Sequence, residues 1–211
     1  MTSAGPGGSP PSAADELLLS AVAADGEAYR HLFEGRPEEA RASLQEAARR
    51  YRASWEAAPP RSFGRLVAGL KSAILAGDPA EAAAYVRGQL ADAALGGDFA
   101  QPDSCDSPTS CYALAVAALA EGDDELAGRA VEGMREGDAA FGRTADAIAA
   151  LAGRDREGYR VAVEAIVRDF EGRDRHLTGV PIADTAMMLQ ALAEPREMAV
   201  ALSSPLLPAS G

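Results

Sequence analysis

Residues 112–134 read YALAVAALAEGDDELAGRAVEGM, and the interpretation of this stretch decides the fold. Tyr112, Ala115, Val116 and Leu119 fall at i, i+3, i+4 and i+7, one stripe of a helix with 3.6 residues per turn. Gly122 breaks the run. Asp123 is then a side-chain cap for a second helix, and Asp124 and Glu125 suit the positive end of its dipole. Leu126, Ala130 and Met134 continue an apolar stripe. The stretch predicts two antiparallel helices joined by a glycine turn.

The same grammar recurs at Leu32-Phe33-Glu34-Gly35, Ile74-Leu75-Ala76-Gly77 and Leu151-Ala152-Gly153. Each copy is an apolar helix end, a glycine, one or two polar residues and an Ala-rich second helix. Successive turn glycines lie 42, 45 and 31 residues apart, too uneven for a regular solenoid, and the Trp, Tyr and Pro positions of tetratricopeptide repeats are missing. The expected fold is all-α: an irregular bundle or short superhelix of antiparallel helical hairpins, with about nine helices.

Towards the N-terminus, residues 1–12 are Gly, Pro and Ser without an apolar period and read as a disordered tail. Residues 13–208 read as a single helical-hairpin domain. Ser12 caps a first helix over about 13–34, with Asp15 in the reciprocal position. Pro37, Glu38 and Glu39 open a second helix, whose inward stripe is Ala40, Leu44, Ala47, Tyr51 and Trp55. Its Arg41, Arg49, Arg50 and Arg52 read as a solvated face paired with local glutamates. After Pro59-Pro60 comes a clean amphipathic run, Phe63, Leu66, Val67, Leu70 and Ile74. Residues 96–108 form the longest internal loop and the one candidate connector between two sub-domains. Beyond the opening stretch, Tyr159 to Phe170 is strongly amphipathic, whereas Thr185 to Ala193 carries no charge and is expected to be buried on most sides, Met187 and Met188 filling gaps in the core.

Charge is unevenly spread. Residues 1–77 carry nine acids and nine bases, residues 78–138 thirteen acids and three bases, and residues 139–211 ten and eight, so most of the net −12 sits in the middle third. That third disfavours a nucleic-acid ligand, which needs a positive footprint, and would attract a basic protein. Lys71 is the sole lysine among twenty basic residues, a bias that reads first as a GC-rich genome. With no signal peptide and no membrane-spanning run, the chain is expected to be cytoplasmic, and Cys105 and Cys111 are expected to form a reduced structural pair. His31 and His176 show no zinc-ligand spacing to the cysteines, and no metal or cofactor is expected.

Catalytic patterns are sparse. A phosphate-binding glycine loop, a Gly-x-Ser-x-Gly elbow and a His-Glu-x-x-His pair are all missing from the sequence. Asp123-Asp124-Glu125 could suggest a magnesium motif but sits where a helix begins, where acids are favoured in any case. His176 would need a nucleophile or carboxylate brought to it from elsewhere and reads as a turn residue.

Four C-terminal pieces carry a resemblance: Leu151-Ala152-Gly153-Arg154-Asp155, the helix Tyr159 to Phe170, the helix Ile182 to Ala193, and Ser204-Pro205-Leu206-Leu207-Pro208. In that order they resemble the C-terminal layout of the immunity protein forty-nine family, all-helical proteins of bacterial polymorphic toxin systems. The resemblance covers a third to a half of the chain and implies a cytoplasmic protein that binds and neutralises a secreted toxin, with no catalytic residues to carry over.

The first functional expectation is thus a non-catalytic protein-binding protein, an immunity protein whose acidic middle third meets a basic toxin through Asp98, Asp103, Asp106, Asp123, Asp124 and Glu125. The alternative is a tetratricopeptide-like scaffold or adapter that takes a peptide in a groove between helices. A third is an enzyme with helical walls. Reversing the charges of Asp123, Asp124 and Glu125 is expected to weaken a basic partner and leave the fold intact.

Overall fold

The structure, a computed structural model, describes residues 11–59, 62–95 and 105–209. Among them the chain forms nine α-helices and no strand: α1 (Ala13–Phe33), α2 (Pro37–Ala57), α3 (Phe63–Leu75), α4 (Ala80–Leu95), α5 (Pro108–Glu121), α6 (Asp124–Met134), α7 (Ala139–Ala152), α8 (Arg156–Glu171) and α9 (Asp184–Ala193). The all-α expectation holds. The proposed tail falls mostly outside the described residues, as do residues 96–104 of the proposed connector.

Local chemistry explains where the helices start. Ser12 accepts the Asp15 N–H at 3.2 Å and donates its hydroxyl to the Asp15 carboxylate at 2.8 Å. Ser107 and Ser110 form a reciprocal box at the start of α5, with Pro108 in its first turn. Asp123, Asp138 and Asp155 each accept backbone N–H groups at the starts of α6, α7 and α8.

The four predicted glycine turns obey one rule with one exception. Gly35, Gly77 and Gly122 have φ of 69°, 81° and 83°, and the residue after each donates its N–H five residues back, to the carbonyls of His31, Ala73 and Ala118. At the fourth turn the left-handed residue is Arg154 (φ 56°), not Gly153 (φ −82°). The same bond, Asp155 N–H to Ala150 carbonyl, closes the turn one residue later than the glycine predicts. Arg154 places its guanidinium 2.7 Å from Asp124 across the hairpin, a contact glycine could not supply.

Packing departs from the predicted stripe most clearly in α5. Besides Ala115, Val116 and Leu119, the intervening Ala113, Leu114, Ala117 and Ala118 are buried, and Tyr112 is only partly so. Helix α5 is an axle touched by α3, α4, α6 and α7, and its many alanines let those helices come close. Helix α9, uncharged after its first residue Asp184, has no exposed residue, and Met188 lies fully inside. One large apolar cluster joins α3 to α9, and residues on both sides of the connector, such as Val86 and Leu114, belong to it. Two smaller clusters, around Tyr29 with Leu44 and around Tyr51 with Ala47, seat the α1–α2 hairpin on this body.

Gly122 and Gly88 should respond oppositely to an added methyl group. Gly122→Ala forces a left-handed alanine and should cost about 1 kcal/mol. Gly88, inside α4, has nothing within 4 Å of the place a methyl group would take, and Gly88→Ala should gain about 0.5–1 kcal/mol by stiffening the unfolded chain. Urea denaturation of both variants measures the pair.

Candidate functional site

Between the α1–α2 hairpin and the rest of the molecule runs a seam of polar side chains inside the apolar core. Asp25, 2% exposed, accepts the Ser72 hydroxyl at 2.8 Å and is also bonded by Tyr51. Lys71 donates to Asp184, which also receives the Tyr29 hydroxyl at 3.2 Å. Thr185 lies 3.4 Å from the other Asp184 oxygen and pairs with Tyr112. Five helices, α1, α2, α3, α5 and α9, thus contribute to one network of two carboxylates, one ammonium and three phenols.

Burial governs its electrostatics. It pushes the Asp25 carboxyl up to about 6, against the opposing pull of Lys71 and the bonds from Ser72 and Tyr51. Burial alone would depress the Lys71 ammonium, but attraction to Asp184, Tyr112 and Asp25 outweighs it and the net shift is upward. The Tyr29 and Tyr51 phenols are raised by burial and then by the nearby carboxylates, and Tyr112 is raised to about 12 by burial.

The acidic turn is less available than its sequence implies. Asp98 and Asp103 lie outside the described residues. Asp106 receives the Ser110 hydroxyl at 3.2 Å. Asp123 caps α6 through the Leu126 N–H at 3.0 Å and faces Arg87 at 3.7 Å. Asp124 binds the buried Arg196 at 2.6 Å and Arg154 at 2.7 Å. Arg196 in turn donates to the carbonyls of Leu119 and Leu192, tying the C-terminal ends of α5 and α9 to the start of α6. Glu125 points outward and, among the described residues, pairs only with Arg129 one turn on. The expectation that all three reversals spare the fold therefore needs correction at Asp124, because its reversal would strand a buried guanidinium.

Other candidates sort quickly. Cys105 and Cys111 are joined in a disulfide, not reduced: the Ser107 cap turns the chain so that their Cα atoms come within 4.9 Å, and the bond packs on Gly133 of α6. The His176 ring lies 6.3 Å from that of Phe170, and its imidazole has no hydrogen-bond partner among the described residues. No group of three metal-ligating side chains gathers among the described residues. Three of the four α2 arginines named from the sequence are paired, Arg49 and Arg50 with Glu46 and Arg52 with Glu56 and Glu81.

A groove of about 500 Å³ is floored by α3 and walled by α2 and α4. Gly69, Ala73 and Ala76 form much of the floor, with Ala48 and Ala82 on the walls. Gly69 lets α3 approach α2 closely, since a methyl group there would meet Tyr51 Cβ at 3.1 Å. Helices α2 and α4 reach each other across the groove by long side chains: Arg52 to Glu81 at 3.2 Å, Tyr85 to Glu56 at 3.1 Å and Trp55 to Gln89 at 2.8 Å. Arg52 also lies 4.0 Å over the Tyr85 ring.

No protein-family model, curated protein or solved structure matches the chain.

The seam and the Asp124–Arg196 pair give two stability predictions. Because the folded pKa of Asp25 is raised, the native state holds its proton through the window from about 4 to 6, and stability falls as pH rises through it, by about 3 kcal/mol. Asp25→Asn should remove this loss, so the difference in urea stability between variant and parent should favour the variant above pH 6 and shrink towards pH 4. Asp124→Lys should cost about 3–5 kcal/mol by leaving Arg196 unpaired, whereas Glu125→Lys should stay within about 0.5 kcal/mol of the parent.

Proposed function

We propose that the protein is a non-catalytic binding protein that takes a peptide segment of a partner protein in the α2–α3–α4 groove. One observation carries this reading: a cleft of about 500 Å³ with a floor of glycine and alanine, a volume within the range of known ligand pockets. Small residues on the floor leave room for the partner's own side chains. Arg49 and Arg52 on the α2 wall and Asp78 and Glu81 at the start of α4 offer both charge signs to a segment with an apolar centre and polar ends. The Arg52–Glu81 and Tyr85–Glu56 straps across the cleft are exposed side-chain bonds, which an incoming chain can exchange at little cost.

The immunity-protein resemblance supports a second reading, neutralisation of a basic toxin. Its support is the outward edge of α6, where the side chains of Glu125 and Glu132 are 87% and 76% exposed. Among the described residues no helix is long and apolar enough to cross a membrane.

One experiment separates the two. Peptides selected from a random display library on the full chain are titrated by calorimetry against the parent, Ala48→Phe, and the Glu125→Lys/Glu132→Lys pair. Groove binding predicts a loss of about tenfold or more with Ala48→Phe and little change with the charge reversals. The opposite pattern, with binding that collapses as salt rises, would replace the groove by the acidic edge. Failure to select any peptide sensitive to Ala48→Phe overturns the groove reading.

A further inference from the structure

A second cavity, of about 170 Å³, lies where α5, α7, α8 and α9 meet, away from the groove. We propose that it is a binding site for a small aromatic carboxylate of the size of benzoate. The walls supply the aromatic preference. Tyr112 meets Phe141 edge to face at 6.1 Å, Phe170 and Ile166 close the far side, and the Arg173 guanidinium lies 3.7 Å over the Phe170 ring. A cavity of about 150 Å³ with apolar walls is enough to hold benzene.

The charge preference comes from Arg143 and Arg173, which share a single acceptor. Arg143 bonds one oxygen of Asp169 and Arg173 bonds the other at 2.6 Å. Their remaining N–H groups have no acceptor among the described residues, so a carboxylate can be added without breaking either pair. The second acid of the lining, Asp138, is spent on the backbone N–H groups of Ala140 and Phe141 at 2.8 and 3.1 Å. Arg143 and Arg173 against Asp138 and Asp169 leave the lining neutral overall, so the direction of the remaining guanidinium N–H groups, not net charge, selects a single carboxylate over a dianion such as phosphate. On the inner side, Tyr112 and Thr185 connect the cavity to Asp184 and Lys71, so an occupant would press on the buried network.

The test titrates benzoate and its neutral counterpart benzyl alcohol into the full-length protein, read by calorimetry and by ligand saturation-transfer NMR. Benzoate should bind with a Kd of about 1 mM or tighter, and benzyl alcohol about tenfold more weakly. Arg143→Gln should weaken benzoate about tenfold and leave benzyl alcohol unchanged. Arg173→Gln, on the more exposed side chain, is the second charge variant should the first lose its circular-dichroism signal. Ala140→Phe, which fills the cavity from a half-buried position, should abolish both ligands. Absent benzoate binding, equal binding of benzyl alcohol, or binding indifferent to Ala140→Phe would each overturn the proposal.

Discussion

Helix α5 is the constraint from which the rest of the architecture follows. From Ala113 to Leu119 every side chain is buried, and most are alanine or valine, so the helix can be satisfied only by neighbours on every side. Helices α3, α4, α6 and α7 meet that need. Small side chains bring their backbones close to the axle, and close packing leaves little tolerance for change in volume. The ends of α5 are secured differently. At its start a serine box and the Cys105–Cys111 disulfide hold the first turn. At its other end Arg196 takes the Leu119 carbonyl while pairing with Asp124 of the next helix.

Against this apolar centre the α1–α2 hairpin is attached through polarity as much as through oil. Two small apolar clusters flank a network in which one lysine faces two aspartates. Burying such groups costs solvation that their mutual attraction must recover, and the raised Asp25 carboxyl records an incomplete recovery. Such a seam stabilises a particular docking of the hairpin less by strength than by selectivity, since any other register would part the buried Asp25 from Ser72 and Tyr29 from Asp184.

The concavities follow from the same geometry. Helix α4 packs on α5 but meets α2 through long side chains, which opens the cleft above α3. The smaller cavity sits beside α5, where Phe141 and Phe170 cannot fill the space around Tyr112. Both hollows border segments whose alanine or glycine content was plain from the sequence, but hollowness itself was not, because it depends on how far neighbouring helices stand apart.

By itself the sequence determined the helices, the Ser12 and Asp123 caps and three of the four glycine turns, because those rest on contacts within one or two turns of chain. It was misleading where a residue's role depends on something remote. The acidic third looked like a free surface, yet Asp124 is matched by Arg154 and Arg196 from beyond residue 138. Lys71 carried one clue, a single lysine set between Leu70 and Ser72 in a chain that otherwise uses arginine, but its partner Asp184 is 113 residues away. Helical phase says which face a residue occupies and nothing about which helix will meet that face. Only the tertiary packing decided which charges were buried, which were paired and where the clefts lay.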